Sequence, residues 1–254
     1  METIIQENIY SFYDCIGQSK EKGFIKSPSI SWLKSESGLW PNIIYNTYFE
    51  ENEIEQFVAT TITAIKTKHS PPFWLVYRTN EMGNKLVNQL KKKGMRNIFH
   101  WSGMGLKVNH SLPNTNAVHI KTVTNNEELK LWLKIVNTVL MTSNKIPYTV
   151  FLDLYNQPNF NLYLAFVGTR PVATGLSFFS KNSSGIYMIS TLTEHRKKGI
   201  GTSITIKCIN DAFQKGISNI VLHASDKGES IYQKIGFKKY SDFDIYWMLG
   251  KKFK

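Results

Sequence analysis

The sequence predicts a mixed α/β (α+β) fold in which a mainly antiparallel central sheet is flanked by helices. Two observations favour it. Apolar residues recur with the spacings of both helices and strands in each half of the chain. Each half also contains a strand, a turn and a helix in that order, and the helix ends near a glycine, Gly94 in the first half and Gly236 in the second.

The composition is that of a globular protein. Hydrophobic residues make up 42% and charged residues 20% of the 254 residues. No apolar run approaches the ~20 residues of a membrane span. The N-terminus shows no basic start followed by an apolar block, so we expect no signal peptide and a cytoplasmic location. Two cysteines, Cys15 and Cys208, are too few for a disulfide framework, and we expect neither to be catalytic.

The net charge of +12 is unevenly distributed. Residues 1–113 hold 13 Lys and Arg against 10 Asp and Glu, whereas residues 114–254 hold 18 against 9. This pattern favours a polyanionic ligand of the second half. A nucleic-acid partner would also explain the charge, but no recognisable reading motif supports one.

In the first half, the strand pattern NIIYNTYF covers residues 42–49 and a helix is predicted over residues 52–67. Four acidic residues follow this strand and run into the first turn of the helix: Glu50, Glu51, Glu53 and Glu55. Carboxylates suit the first turn of a helix, and they also repel phosphate groups. Both interpretations predict no phosphate site in this half.

The polar link SLPNTN at residues 111–116 predicts a domain boundary, so that residues 1–113 and 114–254 form separate domains. The first half resembles a degenerate copy of the second. WLVYRTNEMGNKLVNQLKKKGM and IVLHASDKGESIYQKIGF both predict a strand, a turn and a helix, which indicates a tandem repeat. We expect the first half to pack against the second and to form one wall of its acceptor pocket.

The second half begins with a predicted helix over residues 125–141, capped by Asn125 or Asn126, and a second helix over residues 148–157. Strand patterns follow at FNLYLAFV, PVATGLSFF and GIYMISTLT, with turns at GTRP and KNSSG. After these come a helix from Ile200 to Lys215, the strand NIVLHA, the helix of Tyr232, and closing strands at 238–240 and 243–249.

The segment HRKKGIGT is the most informative one in the chain. It joins a strand to a helix through two glycines, Gly199 and Gly201, which allow a tight turn and a close approach of the backbone to a ligand. The N-terminus of the following helix offers unpaired N–H groups and the positive end of the helix dipole. The segment therefore predicts a site for a phosphate-containing anion.

Together with the later motif YQKIGF, this segment resembles the GCN5-related N-acetyltransferase (GNAT) superfamily. Members carry an (R/Q)xxGxG/A loop and then a YxxxGF signature, which correspond here to Arg196, Gly199, Gly201, Tyr232, Gly236 and Phe237. The resemblance covers roughly residues 114–254. It implies a GNAT-like sheet and a bound acetyl-CoA as cosubstrate, with its diphosphate on the amides of residues 199–202, and no metal.

The resemblance implies a set of residues that bind the cosubstrate. They are Thr191, Leu192, Thr193, Arg196, Lys197, Lys198, Gly199, Ile200, Gly201, Thr202, Ser225, Gly228 and Tyr232. An N–H group near Thr191 or Leu192 would polarise the thioester carbonyl. Arg196 would contact either the diphosphate or the 3′-phosphate, and Ser225 and Gly228 stand where many members carry Asn and Ala.

The chemistry implied for Tyr232 is that of a general acid at the leaving sulfur, or of a group that only positions it. Glu194 is our first choice for the general base, ahead of Asp153 and His195. His223 is interpreted as a core or edge histidine. Four aromatic residues, Tyr148, Phe151, Tyr155 and Phe178, indicate either an apolar or cationic acceptor or simple core packing.

Our hypothesis is an N-acetyltransferase that moves an acetyl group from acetyl-CoA to a primary amine of unknown identity. The alternative is a non-catalytic, regulatory module that binds acyl-CoA. We expect no nucleic-acid or membrane partner, and either a monomer or a homodimer. The sequence leaves open the acceptor and the acyl chain length.

Overall fold

The computed structural model describes residues 1–19, 23–35, 39–115, 118–141 and 144–248. The strands are β1 Phe24–Lys26, β2 Ser31–Lys34, β3 Asn42–Tyr45, β4 Phe73–Tyr77, β5 Arg96–Lys107, β6 His119–Thr122, β7 Phe160–Val167, β8 Arg170–Phe179, β9 Ser184–Thr191, β10 Asn219–Ala224 and β11 Lys238–Trp247. The helices are α1 Glu2–Gln18, α2 Ile54–Lys66, α3 Glu81–Lys92, α4 Asn126–Val139, α5 Tyr148–Leu152, α6 Ile200–Gln214 and α7 Asp226–Ile235.

The described strands form one sheet in the order β1-β2-β3-β4-β11-β5-β10-β9-β8-β7-β6. The pairs β3–β4 and β9–β10 are parallel, and every other neighbouring pair is antiparallel. The mixed α/β fold with a mainly antiparallel sheet is therefore confirmed.

The two halves of the chain repeat the same arrangement. In each half an antiparallel group of strands leads to a parallel pair, β3–β4 or β9–β10, whose crossover is a helix, α2 or α6. A second helix and a long strand follow, α3 and β5 in the first half and α7 and β11 in the second. The predicted internal repeat is thus present as a repeat of elements and strand directions.

The last strands of the two halves exchange places. Strand β11 of the second half pairs with β4 and β5, both from the first half, and β5 pairs with β10 of the second half. The centre of the sheet is therefore built from both halves. The predicted division into residues 1–113 and 114–254 stays a prediction, and Asn116 within the predicted link lies outside the described residues.

Helices cover both faces of the sheet. Helices α1, α4 and α5 lie on one face over a core that includes Phe12, Trp132 and Phe151. On the other face, α2 and α3 cover the strands of the first half, and α6 and α7 cover those of the second half. None of the helices in the described part of the chain combines the length and apolar character that crossing a membrane requires.

Most elements of the second half have the predicted positions, and three differ in length. Helix α5 spans only Tyr148–Leu152, and the strand predicted over GIYMISTLT, residues 185–193, ends at Thr191. The two closing strands are one strand, β11, with an irregular register between Lys239 and Ser241, and the last predicted strand residue, Leu249, lies outside the described residues. Helix α1 was not predicted, although its buried positions follow a helical spacing.

Candidate active site

The parallel strands β9 and β10 pair only at their beginnings. Their register joins Ile220 to Ser184 and Leu222 to Ile186, and no later pair exists although β9 continues to Thr191 and β10 to Ala224. Residues 187–191 of β9 therefore face an opening in the sheet. Unpaired backbone groups along such an opening can hydrogen-bond an extended ligand.

A bulge in β9 lies beside the opening. Between the pairs Thr174–Ser190 and Leu176–Tyr187, strand β9 has one residue more than β8, and Met188 has a φ of +52°. Gly175 lies opposite, where an added Cβ would come within 2.4 Å of Ile204 Cγ2. The indole of Trp132 donates to Gly175 O at 3.0 Å. Glycine is required here because α6 packs directly on this strand.

The glycine loop has the geometry that the sequence predicts for an anion site. Gly199 is the N-cap of α6 with a φ of +74°, and an added Cβ would meet no atom within 4 Å. The first backbone bond of the helix runs from Ser203 N–H to Gly199 O at 3.0 Å. No side chain of the described residues caps the N–H groups of Ile200, Gly201 and Thr202. These three N–H groups are free for a ligand.

The backbone of Thr191 faces the opening, and that of Leu192 does not. The Leu192 N–H donates to Val172 O of β8 at 2.9 Å. It is therefore not available to polarise a thioester carbonyl, and this part of the sequence prediction is wrong. Backbone groups of successive strand residues point to opposite sides, which turns Thr191 away from β8. In agreement, Thr191 O accepts from Arg196 Nε at 3.1 Å. Of the two amides, only that of Thr191 points to the opening.

Tyr232 lies half-buried on α7, on the face of the sheet that carries α6. Its ring contacts Phe237 edge-on, with 6.0 Å between centroids, and its hydroxyl has no hydrogen-bond partner among the described residues. Burial, and secondarily the charge of a Cys208 thiolate, raise the pKa of Tyr232 to about 12. The phenol is therefore protonated at neutral pH and can donate its proton in a hydrogen bond.

Ser225 and Gly228 are the two positions that depart from the family pattern, and the structure explains the glycine. A Cβ added there would lie 3.3 Å from Tyr232 Cε2, so the glycine leaves room for the tyrosine ring. Ser225 is the exposed N-cap residue of α7, and its side chain makes no capping bond. Its hydroxyl therefore remains free for a ligand.

The predicted basic residues surround the loop. Arg196, Lys197 and Lys198 are exposed, and Lys197 has a φ of +60°. Thr193 is exposed as well and opens a 3₁₀ turn over Thr193–His195. These positive charges directly precede the free amides in the chain, which favours an anion there.

The structure engages Glu194, the predicted base, in an ion pair. Its Oε1 lies 2.9 Å from Arg170 Nη2, and both side chains are exposed. A backbone hydrogen bond and the positive charge of Arg170 lower the pKa of Glu194. Asp153 is exposed at the end of α5, and His195 has an inaccessible Nδ1 without a partner. Because it is paired with Arg170, the carboxylate of Glu194 is a weak proton acceptor.

The four aromatic residues that the sequence offers for the acceptor are divided between core and surface. Phe151 and Phe178 are fully buried in the core, whereas Tyr148 and Tyr155 are partly exposed. Tyr155 donates to Asn126 Oδ1 at 3.0 Å.

The cysteine beside the site is inert, because burial raises the pKa of Cys208 to about 12.

The corresponding position in the first half carries carboxylates. A 3₁₀ turn over Glu51–Glu53 precedes α2. Glu51 pairs with Lys85 at 2.5 Å, and Glu55 pairs with Lys93 at 3.8 Å. The absence of a phosphate site in this half stays a prediction, and the negative charge at the start of α2 agrees with it.

The comparisons with known proteins identify the domain. Residues 141–243 match the family model described as the acetyltransferase (GNAT) domain. Residues 141–243 are a GNAT acetyltransferase domain. This match contains the bulged strand, the glycine loop and Tyr232, so the predicted family is confirmed on the residues that carried the resemblance.

Solved GNAT structures share the fold of nearly the whole chain. A GCN5-related N-acetyltransferase from Kribbella flavida has a TM-score of 0.70 at 16% identity, over 96% of this chain and 95% of that one. A GCN5-related N-acetyltransferase from Sphaerobacter thermophilus has a TM-score of 0.63 at 11% identity, over 83% and 74%. A putative GNAT-family acetyltransferase from Novosphingobium aromaticivorans has a TM-score of 0.58 at 10% identity, over 89% and 92%. No curated protein matches the chain.

Some functional features were not accessible to sequence reasoning. The opening between β9 and β10 depends on where two strands stop pairing, and the bulge at Met188 depends on the register against β8. Gly175 carried a signal, since a glycine within a strand often marks a bulge or a close approach. Within the described residues, no group of three or more His, Cys, Asp or Glu side chains is arranged to hold a metal ion.

Proposed function

We propose that this protein is an N-acetyltransferase that transfers an acetyl group from acetyl-CoA to a primary amine by direct attack. The observation that carries the proposal is the juxtaposition of three free N–H groups at the start of α6 with the opening between β9 and β10. A helix N-terminus binds phosphate, and an unpaired strand binds an extended amide-containing chain. Acetyl-CoA contains both.

The residues present fit this cosubstrate. The amides of Ile200, Gly201 and Thr202 would hold the diphosphate, because they are free and lie beside a glycine whose surroundings are open. Lys197 and Lys198 would add positive charge, and the free hydroxyl of Ser225 would bond the pantetheine arm. Arg196 would reach a phosphate with its guanidinium Nη atoms while its Nε holds Thr191 O.

The chemistry follows from two donors on opposite sides of the reacting carbon. Acetyl-CoA supplies the acyl carbon and a sulfur leaving group; a C–N bond forms and the C–S bond breaks. The Thr191 N–H would stabilise the negative charge that develops on the carbonyl oxygen, a contribution of about 3 kcal/mol for such a donor. Tyr232 would donate its proton to the departing sulfur, which its raised pKa permits at neutral pH.

The proton of the attacking amine leaves to water or to a carboxylate. Glu194 serves as base only when its ion pair with Arg170 opens. We therefore propose a water-mediated proton transfer as the main route, with Glu194 as the carboxylate to be tested. We propose a cytoplasmic location, a monomer or homodimer, and no nucleic-acid, membrane or metal partner.

The test measures thiol release from acetyl-CoA with a panel of primary amines. We compare the wild type with Tyr232→Phe, and Tyr240→Phe on the exposed surface of β11 is the matched control. Tyr232→Phe should lower kcat by about 100-fold or more while the acetyl-CoA affinity stays within a few-fold, because the hydroxyl has no structural partner. Tyr240→Phe should behave as the wild type.

Calorimetric titration with acetyl-CoA separates the outcomes. Binding without thiol release for any amine would favour the alternative, a non-catalytic module that binds acyl-CoA. The proposal fails altogether when neither binding nor release is measured. Unchanged turnover in Tyr232→Phe would remove this tyrosine from the mechanism.

A further inference from the structure

His223 marks the point at which the opening begins. It is the first residue of β10 beyond the last pair with β9, and Tyr187 is the corresponding residue of β9. The two rings stack, with centroids 6.2 Å apart and an interplanar angle of 19°. These residues therefore form the closed end of the opening.

The imidazole of His223 lies in an aromatic box without a hydrogen-bond partner. Phe243 meets the ring edge-on at 4.8 Å, and Trp101 meets it at 6.3 Å. Neither ring nitrogen is accessible to solvent, and neither has a partner among the described residues. Two unpaired polar atoms in such a box cost stability, whereas a phenylalanine would fill the same space without this cost.

The box lies on the face of the sheet opposite to the glycine loop. Leu222 and Ala224 of β10 pack into the core beneath α6 and α7, together with Tyr232. His223 alternates with them and points to the face covered by α1, as Val221 does. A cosubstrate held by the α6 amides would occupy one face and leave the other face to an acceptor, which would meet His223 there.

Helix α1 holds the box in place. Phe12 stacks on Tyr187, with 4.3 Å between centroids and an angle of 9°, and Asn8 Oδ1 accepts from the Tyr187 hydroxyl at 2.7 Å. Asn8 is itself buried and donates to Ser183 Oγ at 2.9 Å. Tyr187 is therefore fixed, whereas Trp101 is only half-buried and covers the remaining side of the imidazole. A ligand would therefore reach the imidazole by displacing Trp101.

We propose that His223 binds the amino group of the acceptor, and that the acceptor is a primary amine attached to an apolar alkyl or aryl group. This assignment rests on the proposed acetyl transfer. A neutral imidazole nitrogen accepts a hydrogen bond from the amine, and the surrounding rings of Tyr187, Trp101 and Phe243 contact the apolar group. Burial lowers the pKa of His223 to about 3, which keeps the ring neutral and able to accept.

The test compares His223→Phe and His223→Gln with the wild type; His119→Phe on the distant edge strand β6 is the matched control. Phenethylamine and n-butylamine are the probes, and β-alanine is a primary amine with a charged carboxylate. His223→Phe should raise the KM for phenethylamine at least tenfold and leave the acetyl-CoA affinity within twofold. His223→Gln, which keeps an acceptor atom, should recover part of the loss.

Two measurements do not depend on turnover. The melting temperature of His223→Phe should equal or exceed that of the wild type, because the variant removes two unpaired nitrogens. The ring ¹H–¹³C resonance of His223, assigned by its loss in His223→Phe, should shift when phenethylamine is added to the CoA complex, and β-alanine should shift it much less.

The outcomes separate this inference from the proposed function. A lower melting temperature of His223→Phe, an unmoved resonance, or an equal response to β-alanine would each overturn the role of His223. Loss of acetyl-CoA binding in the wild type would instead overturn the acetyl transfer itself, and the melting temperature would still report on the imidazole.

Discussion

At the scale of single residues, two side chains near the opening have polar atoms without a hydrogen-bond partner. The nitrogens of His223 are buried and unpaired, and the hydroxyl of Tyr232 has no partner among the described residues. Buried polar groups are almost always hydrogen-bonded, so the two nitrogens of His223 need an explanation, and the acceptor amine proposed above supplies one. Both residues flank the opening between β9 and β10, one on each face of the sheet.

His223 predicts a loss of stability in acid. Although part of the residue is exposed, its nitrogens are inaccessible, and burial lowers the pKa from 6.5 to about 3. Between these values the unfolded chain binds a proton that the folded chain does not, so the free energy of unfolding falls as the pH falls below 6.5. At pH 5 we expect a loss of about 2 kcal/mol relative to pH 7, measured by urea unfolding. His223→Phe should lack this component, and parallel pH profiles of the two proteins would contradict it.

At the scale of elements, the start of α6 lacks stabilising caps and instead offers free N–H groups that can bind an anion. Its first three N–H groups have no capping side chain, which leaves the helix less stable than a capped one. The start of α2 in the first half carries carboxylates instead. The same structural position thus carries negative charge that suits the helix dipole in one half and has uncapped, uncharged N–H groups in the other.

Thr202→Asp should therefore move the two properties in opposite directions. A carboxylate in the first turn of α6 should raise the free energy of unfolding by about 0.5 kcal/mol through the helix dipole. It should also weaken acetyl-CoA binding at least tenfold by repelling the diphosphate. Calorimetry and thermal unfolding measure the two effects, and Thr202→Asn is the uncharged control. Equal acetyl-CoA affinity in both variants would show that the diphosphate lies elsewhere.

At the scale of the whole molecule, the exchange of β5 and β11 joins the two halves. Buried Asp244 on β11 strengthens this junction, since its carboxylate lies 2.9 Å from Arg78 Nη1 beyond the end of β4 and 2.9 Å from His100 Nδ1 on β5. His100 also contacts Asp242 through Nε2 at 3.1 Å. Three segments of the chain that are distant in sequence thus meet at one carboxylate.

Removal of that carboxylate should be costly. Asp244→Ala leaves Arg78 and His100 without their buried partner, and we expect a loss of about 3 kcal/mol in the free energy of unfolding, measured in urea. Asp242→Ala is the control: its side chain is 36% exposed, and we expect a loss of under about 1 kcal/mol there. Equal losses in both variants would contradict the central role of Asp244.

The exchanged strands also predict that the halves fold only together. Residues 1–113 produced alone should lack the strand that lies between β4 and β5, and residues 114–254 alone should leave β10 without its partner β5. Each fragment should aggregate, because unpaired strand edges associate, and co-expression should restore a soluble complex. Soluble, folded single fragments, judged by circular dichroism and size-exclusion chromatography, would support two independent domains.

Local sequence patterns predict many of the helices, strands and turns of this protein. Asn125 caps α4 by accepting from Glu128 N–H at 3.0 Å, and strands β7 and β10 begin and end at the predicted residues. The loop at Gly199 and the helix of Tyr232 can likewise be predicted from the sequence, because turn glycines and helix starts depend on residues that are neighbours in the chain. The occupied amide of Leu192 and the ion pair of Glu194 were not, since Val172 and Arg170 are distant in sequence.

The sequence by itself determined the family of the second half, the alternation of helices and strands, and the position of the glycine loop. Only the tertiary structure decided that β11 lies between β4 and β5, that β9 and β10 separate after Ile186 and Leu222, and that His223 is enclosed by aromatic rings. The physical reason is the range of the interactions. Helix caps and turns are set by residues a few positions apart, whereas strand order and the burial of a side chain depend on which distant segments share the core.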